Sequence, residues 1–282
     1  MRFYSESLDL PDSTFSILRD LIHERTGLFY DSGKRELLAD KLSPLVLERG
    51  FNSFLDYYYL LKYDAEQEPE WERVVNALSV QETFFYREMD QIRAVAEVFV
   101  PQYFAASPLR PFRIWCSACA TGEEPISIAM ALAEAGWLGR HAIEIHASDI
   151  SPAAIQKAQK GVFRERSFRN LPAQVQSRFF RHQNGAWRVA DDIHKKIQWR
   201  TINVINREEV AQLPPVSVIF CRNMFIYFSP EAVRRTLRIF YEKLTTPGYL
   251  FVGAAESLLK VSADFDLEEI GGAFVYVKRS RQ

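Results

Sequence analysis

The chain has 282 residues, 48% apolar and 25% charged, with a formal net charge of −1, which is enough for one large core with an accessory domain or for two modest domains of ordinary globular composition. A near-neutral balance gives no support to a nucleic-acid partner, and no apolar run approaches the ~20 residues that cross a membrane. Residues 1–6 lack a signal-peptide pattern and three cysteines are too few for a disulfide framework, so a cytoplasmic protein without membrane insertion is expected.

The first hundred residues predict helices. Phe15, Leu18, Leu21 and Ile22 recur at helical spacing behind an Asp12-Ser13 start signal and stop at Gly27. A second helix is expected from about Lys34 to Arg49 and a third from Ser53 to Lys62, with the acidic stretch 64–70 as a loop before a helix carrying Val74, Val75 and Leu78. Lys34, Arg35, Lys41 and Arg49 suggest a basic face on the second helix, but Glu36, Asp40 and Glu48 interleave, and a solvated mixed-charge surface is the simpler reading. In residues 81–88 (QETFFYRE), Thr83 and Arg87 are four apart and would share a helix face, offering a hydroxyl and a planar guanidinium to a carboxylate. Phe84 and Phe85 read as core. After a helix bearing Ile92, Val95 and Val98, residues 105–111 form the expected linker between a helical domain (1–104) and a second domain (112–282).

From Phe112 onward strands and helices alternate, which predicts a largely parallel sheet. The run at 112–116 breaks into small residues, one glycine (Gly122) and two acids (Glu123, Glu124) before an apolar helical stripe. In such sheets ligands sit at the carboxyl ends of strands. A G-x-G-x-x-G loop would bring backbone N–H groups to a pyrophosphate. A lone glycine followed by two carboxylates repels phosphate and suits S-adenosylmethionine, with its sulfonium, ammonium and ribose diol. The next strand ends at Asp149, 27 residues after Gly122, where an acid reaches a ribose. The alternative role for Asp149 is to cap the helix starting near Pro152, and beside Gly122-Glu123-Glu124 the ribose reading leads. Cys116 and Cys119 form a single CxxC without a second ligand pair, so no metal is expected, and a redox cluster with Cys221 is the minor reading. Around Asn184-Gly185 the alternation yields to a hairpin pattern, which predicts a small antiparallel insertion at about 162–200. The strand at 216–222 ends in Arg222-Asn223, where an amide that both donates and accepts suits a purine edge. Tyr227, taken alone, reads as an interface aromatic.

In this order, residues 83–88, 119–130, 147–150, 220–228 and 253–257 resemble the CheR family of chemoreceptor glutamate O-methyltransferases, a similarity running from about Thr26 to the C-terminus. The resemblance implies an α/β, Rossmann-like S-adenosylmethionine-dependent methyltransferase sheet with a small antiparallel β subdomain, preceded by an all-helical domain. It implies methyl esterification of glutamates on methyl-accepting chemotaxis receptors by a monomer. Cofactor contacts are carried onto Gln81, Thr83, Arg87, Glu124, Asp149, Asn203, Val204, Arg222 and Asn223, beside the Gly122 turn, and the reacting centre onto Arg87 and Tyr227. Gln81 stands where relatives commonly have Asn. The second helix lacks arginines that relatives use against the receptor, and the turn within 180–188 is shorter than in relatives that dock on a receptor tail, implying independence from such a tether. The competing readings are methyl transfer to another substrate and a binding module without catalysis; Arg87 and Tyr227 beside the cofactor set speak against the second.

Overall fold

A computed structural model describes residues 8–65, 67–107 and 109–279; residues 1–6, Glu66 of the acidic stretch and Pro108 of the expected linker lie outside these. Contacts divide the chain into two units, one running to Val80 and including Tyr227–Ala232, the other comprising Gln81–Ile226 and the remainder from Val233.

The first unit holds α1 (Asp12–Thr26), α2 (Arg35–Glu48), α3 (Phe54–Tyr63) and α4 (Gln67–Leu78). Leu18, Ile22, Leu38, Leu42, Val46, Tyr57 and Val74 are fully buried along their inner stripes. Ser53 caps α3 as its sequence suggests, whereas α1 starts after Pro11 without a side-chain cap. The expected acidic loop is shorter than 64–70, because α4 begins at Gln67 and turns Glu70 inward. Glu70 accepts from Tyr57 Oη and Arg49 Nε at 2.6 Å and pairs with Arg73 at 3.1 Å. Burial alone would raise its pKa, but the bonds from Tyr57 and Arg49 outweigh this and hold it below the usual range. Gly27 ends α1 at φ +79°, and a Cβ there would lie 2.8 Å from the Phe228 ring. The returning segment is tied in by Phe29 N donating to the Tyr227 carbonyl (2.9 Å) and by a His23–Ser229 bond (2.7 Å).

The second unit opens with α5 (Met89–Ala94), a π-helical stretch (Val95–Phe99) and α6 (Val100–Ala106). There follow β1 (Phe112–Cys116), α7 (Glu123–Glu134), β2 (Ile143–Asp149), α8 (Pro152–Lys160), β3 (Val162–Phe163), α9 (Ala173–Phe179), β4 (Phe180–Gln183), β5 (Ala186–Val189) and α10 (Asp191–His194). The chain ends with β6 (Ile197–Thr201), α11 (Arg207–Ala211), β7 (Val216–Cys221), α12 (Pro230–Lys243), β8 (Leu244–Val252), β9 (Asp266–Ile270) and β10 (Ala273–Lys278). The expected boundary at 105–111 moves back to Gln81. Phe85, Ile92, Val95, Phe99 and Phe104 share one core with Phe112, Ile114 and Phe251 of the sheet, so α5 and α6 belong to the α/β unit.

The main sheet has the order β6-β2-β1-β7-β8-β10-β9, parallel except for the β8-β10-β9 pairings. Chain order reverses between β1 and β7, which makes their carboxyl ends the ligand crevice of such a sheet. The insertion is a three-stranded antiparallel sheet, β3-β5-β4, whose Asn184-Gly185 turn has positive φ at both residues, as a tight hairpin requires. It ends before β6, which joins the main sheet although the insertion was expected to reach about residue 200. Phe85 locks the insertion down, its ring 4.9 Å from Phe163, 5.1 Å from Phe168 and 4.9 Å from Phe180. Among the described residues no helix is long and apolar enough to cross a membrane.

Candidate active site

At the switch point the loop after β1 folds back on itself. Gly122 takes φ +98° as the N-cap of α7, and a Cβ there would sit 2.9 Å from the Trp199 ring and 3.0 Å from Ala158, so no other residue fits. Asp149, at the tip of β2, accepts from Ala120 N through one oxygen and from Ser151 N through the other, both at 2.9 Å. Burial pushes its carboxyl up, while these N–H bonds pull it back. The cap of α8 is Ser151, which accepts from Ala154 N (3.1 Å). Capping is therefore not what Asp149 does: its carboxylate fixes two loop ends, the Ile150 N–H also bears on it, and its remaining acceptor capacity is open to a ribose hydroxyl.

The two acids after Gly122 part ways. Glu123 is consumed internally, accepting from Thr121 (2.6 Å) and Ser167 (2.9 Å), with its pKa raised by burial against those bonds. Glu124 receives Arg222 Nε at 2.6 Å, and its second oxygen is buried without a partner. Arg222, itself buried, also donates Nη1 to the Arg87 carbonyl (2.6 Å) and lies 3.7 Å from Glu88 Oε2, a buried oxygen without a hydrogen bond. One guanidinium thus faces two carboxylates, and one oxygen of each lacks a hydrogen-bond donor. Those open acceptors favour a cationic ligand.

Residues 81–88 are not the helix their spacing suggests. They form a loop and turn, with Tyr86 and Glu88 at positive φ, and the helix starts at Met89. Thr83 and Arg87 therefore do not share a helix face. Tertiary bonds override local propensity here: Phe85 N donates to the Ser167 carbonyl (2.9 Å), Tyr86 N to Ser127 (3.1 Å) and Tyr86 Oη to Glu134 (3.0 Å). Phe84 is half-buried rather than core, with the Arg87 guanidinium 5.5 Å and that of Arg169 3.7 Å from its ring centre. Gln81 bridges to α8, its amide donating to Ser151 (3.3 Å) and accepting from Lys157 (2.9 Å). Asn203 and the buried Val204 follow β6, anchored by Asn203 N to Glu209 (2.7 Å). Asn223 follows β7 in the left-handed region, and its N–H donates to Glu256 (2.8 Å).

Glu256 carries no role in the sequence reading beyond lying in a family-like segment. It accepts from the N–H groups of Gly253 (2.7 Å), Asn223 (2.8 Å) and Ile226 (3.3 Å), and so shapes the turn after β7. Of the five non-glycine residues at positive φ among those described, four (Tyr86, Glu88, Ala120, Asn223) lie in these loops. Such strain persists only where neighbours hold it, and it concentrates at working sites. Cys116, Cys119 and Cys221 are buried free thiols with pKa values pushed up by burial, which disfavours thiolate chemistry.

Tyr227 belongs by its contacts to the helical unit, where it is 37% exposed, rather than to the α/β unit that holds the other candidates. The charges read from sequence as a mixed surface on the second helix are paired: Lys34 with Asp31, Arg35 with Asp12 and Arg49 with Glu70, while half-buried Lys41 donates to the Ala77 and Leu78 carbonyls.

The SAM-binding domain of CheR methyltransferase matches residues 81–272, and the all-alpha domain of CheR methyltransferase matches residues 13–79. Chemotaxis protein methyltransferase 2 of Vibrio cholerae is 35% identical over 95% of this chain and 94% of its own length. The chemotaxis protein methyltransferase of Klebsiella aerogenes is 35% identical over 93% and 89%, and that of Escherichia coli 30% identical over 93% and 91%.

Proposed function

Because this chain belongs to the CheR methyltransferase family, we propose that it is the S-adenosylmethionine-dependent enzyme that methyl-esterifies glutamate side chains of methyl-accepting chemotaxis receptors in sensory adaptation. The observation that carries this reading is the buried Glu124–Arg222–Glu88 cluster at the switch point, with two carboxylate oxygens lacking donors. Those oxygens fit an ammonium or sulfonium. Asp149, at the tip of β2 with acceptor capacity left over, fits a ribose hydroxyl, and the Asn223 amide fits a purine edge. S-adenosylmethionine supplies a methyl group on a sulfonium, already electrophilic.

The acceptor needs little activation, since a free glutamate has a pKa of ~4.3 and is ionised near neutrality. Position is what the protein must provide, because holding oxygen, carbon and sulfur in line at ~3 Å yields most of the rate gain. Arg87 is the orienting residue: its carbonyl is fixed by Arg222, while its guanidinium leans on Phe84 and donates to the Glu82 carbonyl at only 3.4 Å. A loosely committed guanidinium can steer a carboxylate without over-stabilising the ground state. Tyr227 is proposed as the second group at the reacting centre on its family motif alone.

The product is a neutral ester, which removes one negative charge per site and weakens repulsion between receptor helices. The two-residue turn of the insertion leaves little loop for a peptide, which supports methylation without a receptor tail. Incubation with tritiated S-adenosylmethionine and receptor-containing membranes should give base-labile label on the receptor, at an equal rate when the receptor tail is deleted. Absence of base-labile label would reject the ester, and micromolar binding of a tail peptide would reject the tail independence.

A further inference from the structure

The chain as a whole is near neutral, yet residues 160–200 carry ten Lys/Arg against three Asp/Glu, a local net charge of +7 that leaves −8 on the rest. Part of this charge has no close partner: Arg164, Arg181 and Arg188 form no ion pair with a described carboxylate, while Arg166 acts on Glu123 only at longer range. Arg181 and Arg188 stand directly opposite each other across the β4–β5 ladder. Like charges so placed repel; Arg181 donates to the Ser177 and Phe180 carbonyls and Arg188 to that of Lys160, so an acidic ligand would meet two guanidiniums without a carboxylate partner. Another of these arginines, Arg169, shares the Phe84 ring with the proposed acceptor-orienting Arg87. The Phe84 ring has the Arg87 guanidinium 5.5 Å away and that of Arg169 at 3.7 Å, and Arg169 reaches Glu82 only at 3.6 Å. From Arg169 the chain runs back through the short helical turn Glu165–Phe168, locked to residues 81–88 by Phe85 N and the Ser167 carbonyl, to Arg166 and Arg164.

We propose that this surface docks an acidic polypeptide segment flanking the methyl-accepting glutamate, with Arg169 as its anchor nearest the reacting carboxylate. The inference rests on the glutamate-methylating reading above and adds the element that selects among glutamates. A glutamate among other acids is drawn toward Arg87 by the same charges that hold its neighbours, whereas an isolated glutamate has only Arg87. Planar, stacked Arg169 is suited to a second carboxylate. Because the flanking contacts are exposed, they should fade as salt shortens the screening length below ~8 Å.

The test uses two fluorescent helical peptides with one central glutamate, flanked by Glu in one and by Gln in the other, titrated against the full chain with S-adenosylhomocysteine bound. The native chain should prefer the Glu-flanked peptide about tenfold at low salt, and the preference should collapse at high salt. Arg169→Gln should remove most of it. The double variant Arg164→Gln/Arg166→Gln, which leaves the Phe84 stack alone, should reduce it severalfold with S-adenosylhomocysteine affinity unchanged. Equal affinity of the native chain for both peptides overturns the proposal, as does full preference in both variants. So does an oligothymidylate of equal charge that displaces the peptide equally well, which would mark a generic polyanion surface. Peptide preference without any base-labile methyl transfer would uphold the surface and reject the methyl-acceptor reading instead.

Discussion

Asp149→Asn separates ligand binding from local architecture. In the native chain both carboxylate oxygens already accept a backbone N–H at 2.9 Å, from Ala120 and Ser151. An asparagine keeps one acceptor and turns an NH2 group against the other N–H, leaving a buried donor unsatisfied at a cost of about 1–3 kcal/mol in stability. Binding suffers separately, because a ribose diol donating to a carboxylate makes charge-assisted bonds worth about 1.5–3 kcal/mol each, and at least one of these is lost. The expected loss in affinity for S-adenosylhomocysteine is therefore about 10- to 100-fold. Ser53→Ala is the control: it removes the α3 cap for about 1 kcal/mol, and should lower the melting temperature while leaving affinity within a factor of about two. Calorimetric titration of the native chain and both variants, with melting curves alongside, decides the matter. If Asp149→Asn melts lower but binds S-adenosylhomocysteine as tightly as the native chain, Asp149 is architectural and the ribose assignment fails.

Arg222→Ala should cost about 3–5 kcal/mol, because buried Glu124 and half-buried Glu88 would both lose their cation; an unchanged denaturant midpoint would contradict the cluster. Arg87→Lys keeps the charge but loses the planar fork, and with only one long bond to the Glu82 carbonyl at stake methylation should fall sharply while the melting temperature barely moves, so equal activity rejects the orienting role. His146 is buried, with no hydrogen bond to either ring nitrogen and Nε2 3.6 Å from Glu144; burial outweighs Glu144 and lowers its pKa below 6.5. Its contribution to stability is therefore full above pH 6.5 and is lost as pH falls through the lowered folded value, by up to ~1.4 kcal/mol per unit in that window. Denaturant midpoints at pH 7.5 and 5.5 should converge in His146→Gln relative to the native chain, and an identical acid loss in both proteins would discard the assignment.

The strands were legible because burial on both faces leaves continuous apolar runs, of which the six buried residues of β7 are the clearest. The Gly122 turn was legible because its φ and the Trp199 ring admit no side chain. Residues 81–88 misled because helical spacing was present while the decisive bonds, to Ser167, Ser127 and Glu134, come from positions 41 to 82 residues away in the chain. β9 escaped notice because its sequence, Asp-Leu-Glu-Glu-Ile, is that of an exposed edge strand. The partnerships of Glu88, Glu124 and Arg222 depend on three separated segments meeting and could not be read from any one of them. The charge of the insertion was available from sequence alone. A whole-chain balance of −1 concealed it, and a local count would have revealed it.

The six residues that return to the helical unit tie its assembly to the order of synthesis. Phe228 fills the space that Gly27 leaves open, and Tyr227 and Ser229 complete bonds to Phe29 and His23. On a ribosome moving at ~5–20 residues per second, α1 to α4 emerge about 10–30 s before those partners exist. Until then the amino-terminal helices wait with an open seam at the end of α1, exposed to chaperones and proteases. A chain severed after Val80 would keep that seam permanently, so the last step in closing the first-made part of this protein belongs to a segment made near the end.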